Sequence, residues 1–203
     1  MCTIKKTFPI LIFIFLILKI QFAFAYSYSE GKNAYDNKNY AKAFRVWYLL
    51  SLEDDPKGHF GMGLLYKNGF DQLNPSCEYA IKKLSLAETS GVNDAIYELG
   101  DLYQTGKLCK KNKNKALTYY EKAANKNHLE SIIRLAESYE NGTLGPKNQN
   151  KSCAYSDQAA NLGDAIGQYR SAKCYKYKLA GTRDFDKAIN FLETAINQKI
   201  DIS

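Results

Sequence analysis

Few side chains in this sequence of 203 residues are of types that carry chemistry. Histidine, the usual proton carrier near neutral pH, occurs only at His59 and His128. Charged residues at helical spacing are more frequent. Glu98 and Asp101 lie one helical turn apart, Arg134 and Glu137 repeat that spacing 36 residues later, and Arg170 and Lys173 repeat it again. Two carboxylates on one face are a starting point for general acid–base work. They are equally what a solvated helix face laced with mixed charge presents, and that reading is favoured. The sequence holds no HExxH, no His-Cys cluster at ligand spacing and no CxxC pair, so neither a metal nor a dithiol centre is expected. It also lacks GxGxxG, GxxxxGKS and any nucleophile elbow. An enzyme would have to assemble its acid and base from scattered surface residues, so the chain is read as a non-enzyme without a cofactor.

The basic run Lys107, Lys110, Lys111, Lys113 and Lys115 is interleaved with Asn112 and Asn114 rather than with aromatics. Base stacking is not indicated, and no nucleic-acid partner is expected. The sequon Asn141-Gly142-Thr143 matters only in a host that glycosylates.

The elements that position these residues begin after a removable segment. Lys5 and Lys6 precede an apolar run from Phe8 to Leu18, and Ala23-Phe24-Ala25 supplies small residues where a signal peptidase reads. This is the anatomy of a secretory leader over residues 1–25, with cleavage before Tyr26 and a secreted or periplasmic destination. The alternative is an uncleaved anchor, the only route by which a membrane would be involved. Cleavage removes Lys5, Lys6 and Lys19 and lowers the net charge from +7 to +4, a weak argument for a polyanionic partner.

Cys77, Cys109, Cys153 and Cys174 remain after cleavage, and an even count in an exported chain makes disulfides expected.

A period organises the rest. Tyr66, Tyr103, Tyr139 and Tyr175 are separated by 37, 36 and 36 residues, and Ala80, Ala116, Ser152 and Ala188 by 36 each, as are Ala87, Ala123, Ala159 and Ala195. Within each unit the spacing is helical. Ala95, Leu99, Leu102 and Tyr103 form one face of a first helix, and Ala116, Tyr119, Tyr120, Ala123 and Ala124 one face of a second. Gly69, Gly106 and Gly142 end first helices, Gly91 and Gly163 end second helices, and Pro75 and Pro146 lie in the intervening loops. Gly63 and Gly100 stand where two helices must approach closely.

The string LGDLYQTG followed by KALTYYEKAANKN resembles a Sel-1-like repeat nearly position for position, and the likeness runs from about Pro56 to Lys199. It degrades in the last unit, where Ser171 and Ala172 replace Leu-Gly and Lys178 replaces the helix-ending Gly. Gly31, Tyr40, Ala43 and Trp47 resemble the related tetratricopeptide pattern. The resemblance implies an all-α fold, a right-handed α/α solenoid of antiparallel helix pairs. Its expected divisions are a tetratricopeptide-like hairpin at 26–55 and repeats at 56–91, 92–127, 128–163 and 164–199. The repeat register then favours the pairs Cys77–Cys109 and Cys153–Cys174. Cys153 and Cys174 have the alternative of being small apolar core residues that stay reduced.

In proteins of this kind the first helices line the concave side. By resemblance the stripe there runs Gly61, Leu64, Asn68, then Glu98, Asp101, Thr105, then Arg134, Glu137, Asn141, then Arg170, Lys173, Tyr177. The expected function is a scaffold or adaptor binding a protein or peptide through Glu98, Asp101, Thr105, Arg134, Glu137, Arg170 and Lys173, in envelope signalling or host interaction. The alternative is an enzyme or inhibitor of peptidoglycan metabolism. Ile189, Phe191, Leu192 and Ile196 mark the C-terminal end as a surface for oligomerisation.

Overall fold

A computed structural model describes residues 26–71, 73–179, 181 and 183–198. The leader expected at 1–25 and the expected final residue of the fourth repeat, Lys199, lie outside the described residues. Among the described residues ten α-helices follow one another, with a single isolated bridge between Phe70 and Leu73. They are α1 (Tyr28–Asp36), α2 (Tyr40–Leu52), α3 (Pro56–Asn68), α4 (Cys77–Thr89), α5 (Asn93–Thr105), α6 (Lys113–Ala124), α7 (Leu129–Asn141), α8 (Gln149–Asn161), α9 (Ala165–Lys176) and α10 (Phe185–Asn197).

Short polar side chains set the helix starts. Asn112, Asn148 and Asp184, at 36-residue intervals, accept from the backbone N–H three residues on and open α6, α8 and α10. Asn112, which the sequence shows only as an interruption in a lysine run, is therefore a helix cap. Helix ends are set by backbone that turns left-handed. Gly106 and Gly142 take φ of 66° and 75°. In the fourth unit Lys178 adopts φ 56° at the same register. The chain keeps the turn where the sequence loses the glycine, at a cost of about 1 kcal/mol.

The chain divides into two compact units, one ending at Ala87 and the other beginning at Glu88. In the first, α1, α2 and α3 enclose Trp47, which is fully buried with Ala34, Ala43, Val46, Met62 and Leu65. Tyr28 stacks on its indole at 5.7 Å and Tyr35 leans on it at 5.4 Å. Gly61 lies flat against the ring, and a methyl group there would collide with it.

In the second unit α5 packs on α6, α7 on α8 and α9 on α10, while α6 packs on α7 and α8 on α9. No pair could bury its apolar face alone, and stacking closes one core from Ala116, Tyr120 and Ala124 to Ile132, Leu135 and Tyr139. The fold is an all-α solenoid of antiparallel helix pairs. Gly100 makes room for Tyr120, whose ring would stand 2.8 Å from a β-carbon at that position. The periodic tyrosines stack on partners in the second helix, Tyr103 on Tyr119 at 5.9 Å and Tyr139 on Tyr155 at 5.9 Å, each within 4° of parallel. Tyr175 takes Phe191 instead, at 6.2 Å. Phe191 is thereby half-buried, as is Leu192, whereas Ile189 and Ile196 are exposed.

Cys153 on α8 and Cys174 on α9 form a disulfide, with α-carbons 5.8 Å apart. Cys77 and Cys109 are each disulfide-bonded as well.

Candidate functional site

The charged residues singled out in the sequence fall on α5, α7 and α9, the first helices of successive pairs. Arg170, near the middle of α9, meets residues one and nearly two turns further along α7. Arg170 Nη1 on α9 donates to Glu140 Oε2 at 2.6 Å and its Nη2 to Glu137 Oε1 at 3.1 Å, so one guanidinium grips two carboxylates of α7. Glu137 reaches back to Arg134 Nη1 at 3.7 Å. The guanidinium of Arg134 in turn bonds the Tyr97 hydroxyl of α5, and this hydrogen bond holds its pKa above the usual value.

Tyr120 anchors the band from beneath. Its hydroxyl donates to Gln104 Oε1 at 2.6 Å. Burial, followed by the charge of Asp101, pushes its pKa far above that of an ordinary phenol, with Glu98 adding to the rise and Arg134 opposing it. Glu98 and Asp101 thus act on the same buried ring as Arg134. Tyr97 also stacks on His128 at 5.2 Å, and His128 caps α7 by accepting from the Ser131 N–H.

Six of the seven residues expected on the partner face stand in one half-buried band: Glu98, Asp101, Arg134, Glu137, Arg170 and Lys173. Thr105 is exposed and turns its hydroxyl onto the Asp101 carbonyl of its own helix at 2.9 Å. Lys173 lies over the Tyr169 ring at 5.8 Å. Sequence reading missed Glu140, Tyr97, Gln104 and Tyr120 as members of the band. The signal for Glu140 was its place one turn beyond Glu137.

The carboxylates of Glu137 and Glu140 are both engaged by the Arg170 guanidinium, so the arrangement fixes charge at the α7–α9 contact. The band is acidic at α5 and basic at α9, where Arg170, Lys173 and Lys176 follow one another at helical spacing. His59, in the other unit, is buried, with Lys83 Nζ 3.4 Å from Nδ1 and Asp54 3.4 Å from Nε2. Burial, then the neighbouring Lys82, lowers the pKa of Lys83. Among the described residues no group of three or more His, Cys, Asp or Glu is placed to hold a metal ion. No described helix is long and apolar enough to cross a membrane.

Comparison with known proteins adds the following. The Sel1 repeat family matches residues 56–82, 93–128, 129–164 and 165–199. A protective antigen of uropathogenic Escherichia coli with the same repeat fold superposes with a TM-score of 0.73 at 22% identity over 84% of this chain. A Sel1 repeat protein of Oxalobacter formigenes gives a TM-score of 0.69 at 23% identity over 79% of this chain. A third, from Klebsiella pneumoniae, gives 0.53 at 16% identity and covers 83% of both chains. The chain spans only 37% and 46% of the length of the first two proteins. At these identities the likeness is one of fold. No curated protein matches the sequence.

Proposed function

We propose, since this chain belongs to the Sel1 repeat family, that it is a non-catalytic scaffold that takes a protein or peptide partner across the band formed by α5, α7 and α9. Sel1 repeat proteins generally mediate protein–protein interaction, and their fold is typically non-catalytic. The observation that carries the reading is the graded, half-buried charge band in which Arg170 bridges Glu137 and Glu140. Such a network holds its side chains in place before any partner arrives, so little rotamer freedom is lost on binding. It also sets polarity. A partner would lie with cationic groups toward Glu98 and Asp101 and anionic groups toward Arg170 and Lys173, which selects orientation more than raw affinity. The disulfide at Cys153 and Cys174 suits an oxidising, exported compartment. We assign the chain on that basis to the periplasm or the exterior, with residues 1–25 as its cleaved leader.

The test is charge reversal at Glu98, Asp101 and Glu137 together, each to Lys. Immobilised wild type and variant are exposed to envelope extract from the host. A partner held stoichiometrically by the wild type and released by the variant, with unchanged helicity in circular dichroism, supports the reading. Equal capture by both proteins moves the site off this band. Retention of peptidoglycan fragments in place of a protein points to wall metabolism and refutes it.

A further inference from the structure

The second unit carries a row of cations that its modest net charge conceals. Lys111, Lys147 and Arg183 stand 36 residues apart in the turns before α6, α8 and α10, and Lys115, Lys151 and Lys187 recur at the same interval in the first turns of those helices. All six are exposed. Elsewhere the cations Lys32, Lys42, Lys122, Arg134 and Arg170 each hold a carboxylate. None of the six in the row does so among the described residues. The sequence has no Asp or Glu between Asp101 and Glu121, nor between Glu140 and Asp157, so two successive turns are free of acids. Glu121 and Asp157 themselves accept from the Tyr139 and Tyr175 hydroxyls. In the third turn Asp184 and Asp186 interrupt the row, which is therefore strongest across α6 and α8.

Each repeat places its two cations by the same construction. The ammonium groups of Lys115, Lys151 and Lys187 lie over the rings of Tyr103, Tyr139 and Tyr175 at 4.9, 4.8 and 5.1 Å. The residue after each turn cation is tied to the carbonyl of the same tyrosine: Asn112 N–H donates to Tyr103 at 2.9 Å, Asn148 to Tyr139 at 2.9 Å and Asp184 to Tyr175 at 3.3 Å. Lys111 and Lys147 also lie against the turn glycines. A β-carbon at Gly106 would stand 2.7 Å from Lys111 Cβ, and one at Gly142 3.1 Å from Lys147 Cγ. Gln158 on α8 donates to the Ala124 carbonyl at the end of α6, so the second helices stand side by side. Successive cation pairs are then roughly one helix width, about 10 Å, apart.

We propose that this edge, led by Lys111, Lys115, Lys147 and Lys151, binds an acidic polysaccharide laid across the repeats, one anionic group to each cation pair. Charge complementarity supplies the attraction. The aromatic rings offer no stacking platform, because Tyr103 and Tyr139 have a second-helix tyrosine against one face and a lysine over the other. That disfavours a nucleic-acid strand, which needs open ring faces. A surface that repeats the same charge at a fixed interval suits a polymer that itself repeats, such as a glycan with one carboxylate per disaccharide. The edge lies at the starts of the second helices, away from the α5–α9 band, and does not depend on what that band binds.

The probe is a hyaluronan decasaccharide, which carries one carboxylate per disaccharide, titrated into the 15N-labelled protein at low salt. Amide shifts are expected in the turns and helix starts around Lys111, Lys115, Lys147 and Lys151, and they should vanish at 1 M salt, where the screening length is about 3 Å. K111Q/K147Q, altered only at exposed turn positions, should keep its helicity and bind about fivefold more weakly, the size of two exposed charge contacts. K82Q/K126Q removes the same charge from exposed sites off the row and should bind as wild type does. A tetrasaccharide, too short to engage two repeats, should bind more weakly than the decasaccharide. Absence of shifts, shifts confined to the α5–α9 band, or equal losses in the two double variants each overturns the proposal. So does tighter binding of an oligoglutamate with the same number of carboxylates, which makes an acidic peptide the occupant. Binding to phosphatidylglycerol vesicles without binding to the saccharide also overturns it, in favour of an anionic membrane surface.

Discussion

Replacing Cys153 and Cys174 together by Ala removes a cross-link between α8 and α9 while leaving each helix its own residues. The two cysteines are 21 residues apart in sequence. In the chain-entropy account, closing a loop of that size in the unfolded state contributes about 3 kcal/mol of stability at 25 °C. Both side chains are nearly buried, at 3% and 7% exposure, so loss of the sulfur atoms acts in the same direction. With a urea slope of about 2 kcal/mol per M, the midpoint should fall by roughly 1.5 M. Equilibrium unfolding followed by circular dichroism at 222 nm reads the shift. The double variant isolates this bond, whereas a reducing agent would also open the linkages at Cys77 and Cys109. A displacement below about 0.3 M, with unchanged slope, would refute the reasoning. It would mean that stacking of α8 on α9 already confines the unfolded chain or that the bond strains the folded one.

Tyr120→Phe removes a hydroxyl whose ionisation burial opposes. Because the pKa of Tyr120 is raised in the folded state, its contribution to stability is complete below about pH 10 and is lost as the pH rises above it. Wild type should therefore unfold in alkali more steeply than Tyr120→Phe, read as the pH midpoint of helicity. Near neutral pH the variant should be weaker by about 1 kcal/mol, because Gln104 Oε1 loses its donor. For the remaining cysteines, non-reducing peptide mapping should return Cys77 linked to Cys109. A link from either one to Cys153 or Cys174 would overturn the repeat register.

The repeat was legible because its signals are local. Alanines and tyrosines at 36-residue spacing state a period, and turn glycines punctuate it. Cys153 and Cys174 were legible as a pair because Cys153 shares the register of Leu117, and the residues there face the next first helix. The band was legible in part. Glu98, Arg134 and Arg170 share one register and Asp101, Glu137 and Lys173 another one turn on, and register is visible in one dimension. Glu140 was not, because its partner Arg170 sits nearly two turns behind it in register on a neighbouring helix, an offset set by how α7 and α9 slide past each other. Tyr120 reads as a core aromatic because its apolar ring dominates its pattern, while its hydroxyl finds Gln104 only once the helices pack. Lys178 reads as a broken turn, and the turn persists because a left-handed lysine costs less than losing the stack beyond it.

Trp47 is the single tryptophan of the chain, fully buried in the first unit against Tyr28 and Tyr35. The molecule thereby carries its own optical label. Excitation at about 295 nm, where tyrosine is nearly silent, reports only the surroundings of α1, α2 and α3, whereas backbone dichroism weighs every helix. If the units ending at Ala87 and beginning at Glu88 unfold separately, emission and dichroism will part company along a denaturant titration. Coincident curves would instead mark one cooperative transition, and no introduced fluorophore is needed to tell the two apart.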